Sequence, residues 1–337
     1  MITRFLVKRI VKWVLRILIA LLALVLLAVG IFFLRDRIMY SDFYDVAEKG
    51  MKAPGLWNGY VSQGFDYYEA RGVYLSCGYD KSGDASSIYI MNGEEQTQVE
   101  LKNADGTDYT GHTGGSDTYG PYIYITGAKG CDLFLVDDVF DGDGKATVAG
   151  EIKTINDPAY CTVRGDLLYA GSFYDTGKYE TPMEHRFTTP AGDRNTAIIS
   201  VYRLDHTTGK AVSEVPEVVI STTSQVQGMT FINDSTMVLS SSYGLSTSLI
   251  RFYDLNKMEA NGTTLKVGEV YVPVWFLDSS ALVETVEAPP MAEEIVYHDG
   301  KLWILTESAS MKYIFGKFTS GNHIYGLPLP ASVAALQ

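Results

Sequence analysis

The stretch Leu75-Ser76-Cys77-Gly78-Tyr79 recurs in pattern as Ile125-Thr126-Gly127-Ala128-Lys129, Tyr169-Ala170-Gly171-Ser172-Phe173, Leu239-Ser240-Ser241-Ser242-Tyr243 and Leu305-Thr306-Glu307-Ser308-Ala309. In each, an apolar-polar alternation runs out into small residues. Eleven positions before each leading residue stands a turn-like position: Gly64, Gly114, Pro158, Gly228 and Glu294. The leading residues are 50, 44, 70 and 66 positions apart. A strand-rich unit repeated at such a period marks radial or stacked β architecture.

Working outward from the phrase, each unit reads as a turn position, a first strand, a polar turn, a second strand and the small-residue stretch. Gly228 to Ile232, Asn233-Asp234 and Thr236 to Ser240 show the order. Third strands are expected at Ser87 to Met91, Asp132 to Val136, Ala197 to Tyr202, Ser248 to Tyr253 and Lys312 to Lys317. Fourth strands are expected at Gln96 to Leu101, Ala146 to Lys153, Val215 to Ser221, within Val267 to Asp278, and at His323 to Leu327. Four antiparallel strands per unit make a propeller blade. Through residues 62 to 329 the chain resembles the β-propeller superfamily in repeat period and strand order. It is similar in architecture to the calcium-activated nucleotidases and the five-bladed glycosidases. The expected class is all-β, a five-bladed β-propeller preceded by one N-terminal transmembrane helix. The alternative is six blades, with residues 38 to 62 and the C-terminal tail supplying an irregular extra blade or closing strand.

Ile17 to Leu34 is an unbroken run of apolar residues without a charge, with Trp13 at its near edge. That length suits a membrane span, and Trp suits its boundary. A cleaved signal peptide is the competing reading, but Ile31, Phe32 and Phe33 carry the apolar run past the small residues at 28 to 30. Arg4, Lys8, Arg9, Lys12 and Arg16 precede the run, so the positive-inside bias puts the N-terminus in the cytoplasm and the rest outside. The resulting division is 1–16 cytoplasmic basic segment, 17–34 transmembrane helix, 35–56 juxtamembrane stalk, 57–329 propeller ectodomain and 330–337 C-terminal tail.

The 337 residues are 46% hydrophobic, and 23 Tyr with 14 Phe favour strands. The net charge is −13, with most of the early charge basic, so the body after residue 37 is strongly acidic. Such a body lacks the clustered Lys and Arg that nucleic acid requires, and suits cations or solubility. Cys77, Cys131 and Cys161 lie in separate units with no CxxC pair, and read as small buried strand residues, with one bridge left open.

Because strands alternate in direction, the start of each first strand and the loop after each second strand share one face. Residues near those starts are Gln63 and Asp66, His112 and Thr113, Asn156 and Asp157, Gln227, and Glu293 with Glu294. The ligand-binding set expected at the channel mouth is therefore Gln63, Asp66, His112, Asp157, Gln227, Glu293 and Glu294. Asp66, Asp157 and Glu294 are hard oxygen donors suited to calcium, the one cofactor the residues suggest. Polar residues there can equally serve to satisfy backbone neighbours. The insertion from Tyr174 to Asn195, with Glu184-His185-Arg186, falls on the same face. Asp137, Asp138, Asp141 and Asp143 miss the spacing of a calcium loop and read as a turn. No GxSxG, HExxH or Walker sequence occurs. The expected function is a membrane-tethered, extracytoplasmic module that binds a ligand or protein partner. The alternative is a carboxylate- or calcium-dependent hydrolase, a glycosidase or phosphohydrolase, with its site at the same mouth.

Overall fold

The computed structural model describes residues 2–336. One long helix, α1 (Ile2–Met39), leads into a short helix α2 (Ser41–Val46) and strand β1 (Glu48–Lys52). The first antiparallel run of four is β2 (Tyr60–Tyr68), β3 (Val73–Asp80), β4 (Ser87–Asn92) and β5 (Glu95–Lys102). The second is β6 (Ser116–Tyr119), β7 (Tyr122–Gly127), β8 (Gly130–Leu135) and β9 (Lys145–Lys153), with α3 (Val136–Asp141) between its last two strands. In the third, β10 (Pro158–Arg164) and β11 (Leu167–Ser172) are followed by a small hairpin, β12 (Phe187–Thr188) with β13 (Arg194–Asn195), and then β14 (Ala197–Arg203) and β15 (Val218–Thr222). The fourth contains β16 (Val226–Asn233), β17 (Thr236–Ser241) and β18 (Ser248–Asp254). A detour through β19 (Thr264–Val267) and β20 (Val270–Phe276) precedes its last strand, β21 (Leu282–Ala288). The last run is β22 (Ala292–His298), β23 (Lys301–Thr306) and β24 (His323–Pro328), completed at its edge by β1. A short helix, α4 (Ala331–Ala334), ends the described chain.

The arrangement is propeller-like because the first strands β2, β6, β10, β16 and β22 touch one another in a closed ring. Neighbouring runs stack face to face, and the apolar side of each alternating strand supplies the core between them. Leu75, Ile88 and Val99 meet Ile123, Ile125 and Phe134. Tyr124 and Leu133 meet Cys161, Leu168 and Tyr202. Ile199, Val201 and Ile220 meet Met229, Met237 and Leu239. Val238, Ile250 and Phe252 meet Ile295, Leu302 and Ile304, and Leu305 and Ile324 meet Tyr60, Phe65 and Met91. Removing these side chains from water is the main favourable term, about 25 cal/mol per Å² of apolar surface. Cys77, Cys131 and Cys161 are buried strand residues in these cores and none is in a disulfide.

Several sequence expectations are corrected here. The stretch 35–56 is no stalk: α1 continues to Met39, Phe43 is buried against the last run, and β1 pairs antiparallel with β24. Lys312 to Lys317 is a loop with a 3-10 turn, and His323 to Leu327 is the third strand of its run instead of the fourth. The fourth strand of the fourth run is β21, while β20, within Val267 to Asp278, pairs in parallel with β15. Asp137 and Asp138 open α3 instead of a hairpin turn. Val333 of α4 is buried in the same core as Phe43, so the tail from 330 packs on the domain; Gln337 lies outside the described residues.

The turn-like positions are also reassigned. Gly64, Pro158, Gly228 and Glu294 lie within first strands, at irregularities where the ladder register slips. A Cβ on Gly64 would sit 2.8 Å from Ser116 N, and one on Gly228 2.5 Å from Glu294 Cα. The glycines recur because adjacent first strands approach too closely for a side chain.

Candidate functional site

First strands run from a near face, where α1 leaves the domain, to a far face. Second strands return, so the small-residue phrases end on the near face, as the alternation of strands requires. α1 meets that face directly: Tyr40 Oη lies 3.2 Å from Thr247 Oγ1 in the β17–β18 loop, and Arg37 donates to Ser320 in the β23–β24 loop.

On the axis two groups of carboxyls lie on either side of the close glycine contacts. β22 supplies one to each. Its register slips between Ala292 and Ile295, so consecutive residues Glu293 and Glu294 both reach the axis. On the near side Glu293 lies within hydrogen-bonding reach of Glu307, and Gln63 Nε2 donates to Glu307 Oε2 at 2.8 Å. Around them, Lys312 Nζ donates to Tyr79 Oη at 2.5 Å, Tyr313 bonds Glu307, and His112 stacks on Tyr79 with ring centroids 4.7 Å apart. Burial pushes Glu293 well above the carboxylate range, reinforced by the adjacent Glu307 charge. Glu307, buried but opposed by Lys312 and by the Gln63 bond, is raised to about 7. Of the two, Glu293 is raised the further, so it is the member of the pair that holds a shared proton. His112 retains solvent access with protein on most sides, and desolvation with the Lys312 charge lowers it to about 4.

On the far side is a cavity of about 360 Å³ lined by the far halves of the ring strands, including Asp66, Asp117, Arg164, Phe231 and Glu294. Its carboxyls tie neighbouring strands together. Thr118 Oγ1 donates to Asp66 Oδ2 at 2.7 Å, and Thr162 Oγ1 and Val163 N each donate to Asp117 Oδ2 at 2.6 Å. Met229 N donates to Glu294 Oε1 at 2.7 Å, but Glu294 Oε2 is buried without a hydrogen-bond partner among the described residues. Burial, followed by the Asp117 charge, holds Asp66 well above the carboxylate range. Asp117 is raised only to about 6, because burial is opposed by its Thr162 and Val163 bonds. Glu294 is pushed well above by burial despite the Met229 bond.

The expected channel-mouth set is thus split. Gln63, His112 and Glu293 gather on the near face. Asp66 and Glu294 face the far cavity, since Asp66 lies three residues, about 10 Å, farther along β2 than Gln63. Gln227 is half-buried at the bulge of β16. Asp157 is exposed, near His185, and does not join Asp66 and Glu294. Among the described residues no three His, Cys, Asp or Glu side chains are placed to hold a metal together, so the expected calcium set is not assembled. Asn156 is internal to its run, bonding Ala170 O and Ser172 Oγ. In the Tyr174 to Asn195 insertion, Arg186 pairs with Glu180 and His185 is buried.

Glu307, Lys312, Tyr79, Tyr313 and Asp117 were not expected as site residues. Two carried a signal. Glu307 is the one acid within the repeated phrases, where the matching positions are Cys77, Gly127, Gly171 and Ser241. Asp117 follows Gly115 by two residues, as Asp66 follows Gly64.

No protein family matches this chain by its sequence, and no curated protein matches it. In structure it is similar to the PQQ-bound form of aldose sugar dehydrogenase from Streptomyces coelicolor, at 15% identity and TM-score 0.43, over 86% of this chain and 81% of that one. It is similar to CoXyl43, a GH43 β-xylosidase/α-arabinofuranosidase from a compost microbial metagenome, at 12% identity and TM-score 0.46, over 86% and 97%. A gluconolactonase from Xanthomonas campestris gives 16% identity and TM-score 0.38, over 85% and 95%. At these values none assigns an activity or a residue role here.

Proposed function

We propose that this chain is a membrane-tethered, extracytoplasmic five-bladed β-propeller that binds a small, hydrogen-bond-accepting ligand, such as a sugar, in its far-side axial cavity. The observation that carries the reading is Glu294 Oε2, a buried carboxyl oxygen left without a partner in a side chain that lines a 360 Å³ cavity; with Oε1 accepting from Met229 N and the carboxyl pushed well above the carboxylate range, Oε2 is the atom that carries the proton. A buried polar atom without a partner costs about 1–3 kcal/mol, a cost that an acceptor from a ligand removes. The volume falls in the range of small-molecule sites, about 300–1,000 Å³. Five four-stranded runs, each with one strand in the ring, support the blade count. Support for the tether comes from Val7–Met39, a helical span long and apolar enough to cross a membrane, and the basic residues before the apolar run favour a cytoplasmic N-terminus with the domain outside.

The test is a thermal-shift and calorimetric screen of the full chain in detergent against amines, monosaccharides and calcium. A ligand of the folded state raises the melting temperature by mass action. Glu294→Met keeps the side-chain length and removes the donor, and abolishes the shift produced by a true ligand. Equal binding by wild type and Glu294→Met removes the reading.

Hydrolysis is the second reading, favoured by the different proton states of Asp66 and Asp117 in one cavity. A protonated and an ionised carboxyl facing one substrate are what acid–base glycoside cleavage requires. Turnover of aryl glycosides with an acid limb near pH 6, lost in Asp117→Asn, is the expected result; no turnover across such a panel rejects it.

A further inference from the structure

We propose that the near face of the domain rests on the bilayer that holds α1, with Trp57, Leu245, Ile314 and Phe318 inserted at the lipid–water boundary. The inference rests on the reading of α1 as a membrane anchor. The first support is how the helix and the domain meet. Along α1, Val29, Phe32, Asp36 and Tyr40 are covered to different degrees while the residues between them are largely exposed. Their spacing of three, four and four puts them on one helical stripe. Phe32 meets Phe315 edge-on with ring centroids 6.2 Å apart. Val29 and Phe32 both belong to the apolar run that ends at Leu34. Val29 is five residues inside that end, about 7.5 Å along the helix axis. If the run lies in hydrocarbon, the loop that carries Phe315 is at the depth of the lipid boundary.

The second support is what surrounds the exit. Trp57 is 76% exposed, Leu245 67%, Ile314 44% and Phe318 41%. They come from three separate near-face connections: the segment before β2, the β17–β18 loop and the β23–β24 loop. A cluster of exposed apolar side chains on a soluble surface calls for a covering partner, and Trp is favoured at bilayer boundaries. The same rim carries cations on aromatic rings: Lys317 Nζ lies 4.4 Å from the Trp57 ring centroid and Arg37 5.5 Å from that of Phe33. Lys317 also donates to Leu56 O and Ala309 O, so it ties the segment that carries Trp57 to the β23–β24 loop and holds the apolar cluster together.

The β23–β24 loop joins this surface to the near-face carboxyls. It carries Glu307, Lys312 and Tyr313 as well as Ile314 and Phe315, and Ile314 is held at φ +60, an unfavourable value for a β-branched residue. The buried Glu293–Glu307 pair therefore lies beneath the surface that faces the lipid, and the far cavity faces water.

The experiment uses the full chain in phosphatidylcholine/phosphatidylglycerol vesicles with acyl chains brominated near the headgroup. Three single-tryptophan forms, in which the other tryptophans are replaced by Phe, retain Trp13, Trp57 or Trp275. The expected result is strong quenching of Trp13 and of Trp57, several-fold above that of Trp275 on β20. Quenching of Trp13 with Trp57 no more quenched than Trp275 overturns the docking while leaving the anchor. Failure to quench Trp13 overturns the anchor reading and the docking with it. If these forms do not fold, a nitroxide on Leu245→Cys, with the native cysteines buried, decides by oxygen versus nickel-chelate accessibility: oxygen preference supports docking, chelate preference overturns it.

Discussion

Gly115 shows how closely the ring strands approach. A Cβ there would lie 2.6 Å from Tyr160 Cα, 2.7 Å from Cys161 N and 2.7 Å from Glu294 Oε2. Two of these neighbours are backbone and cannot rotate away, so the cost of a methyl is strain in the ring itself. Gly115→Ala is expected to destabilise by about 1–3 kcal/mol, as overpacking does. Gly150, in β9, is the control: its nearest contact would be Leu133 Cδ1 at 3.4 Å. Gly150→Ala is expected to be neutral or stabilising by about 0.4–1 kcal/mol through the unfolded chain. Urea midpoints of the two variants, at unchanged slope, check the contrast; equal shifts would show that the close approach does not constrain the ring. At this scale the sequence carried much of the site. Gln63, Asp66, Glu293 and Glu294 were legible because they stand at, or within two residues of, the position that lies eleven before the repeated phrase. Their division between two sides of the axis was not, because a bulge in β22 and depth along β2 are properties of paired strands.

Strand β1 is the element whose role the sequence disclosed only in the alternative reading, as a closing strand from within residues 38 to 62. Glu48–Lys52 has three charged residues in five and no alternation, and its partner β24 is more than 270 positions away. Nothing local distinguishes it from a solvated linker, whereas Lys312 to Lys317 has the strand-forming residues Tyr313, Ile314 and Phe315 and is a loop. Closure by a strand from before the repeats also explains why Phe43 is in the core. Its ring meets Tyr44 and Tyr325 at centroid distances of 5.5 and 5.8 Å. Truncation at a buried aromatic costs about 3–5 kcal/mol, so Phe43→Ala is expected to lower stability by that order. It should also raise hydrogen exchange in β1 and β24 before the other strands. Uniform loss of protection across all strands would instead mean that β1 does not act as a separable clasp. Strand β20 makes the same point: a strand within Val267 to Asp278 was legible, while its hairpin partner β19 and its choice of β15 as neighbour depend on the assembled ring.

The whole molecule concentrates buried acid on its axis, and this fixes a pH dependence of unusual sign. Asp66, Glu293 and Glu294 are held well above the carboxylate range, Glu307 to about 7 and Asp117 to about 6. A carboxyl raised on folding gives its full stabilisation below its unfolded value, 4.5 for Glu and 3.8 for Asp, and loses it as pH rises toward the folded value. Lowered histidines act in the opposite direction: His112 falls from 6.5 to about 4, and its contribution is lost as pH falls below 6.5. Above about pH 7 the lowered histidines, His112, His185 and His323, are neutral in both states, and the buried acids dominate. Stability is therefore expected to fall from pH 7 to pH 8.5, where most proteins have a flat profile. Glu294→Gln, which cannot ionise and retains the acceptor for Met229 N, should flatten that slope in proportion to the one proton it removes from the native state. Melting temperatures of both proteins at half-unit pH steps check this. A wild-type slope of zero, or the same slope in both, would mean that Glu294 is ionised in the folded protein and paired with a cation, which would move the axial cavity from a site for neutral ligands to one for a cation.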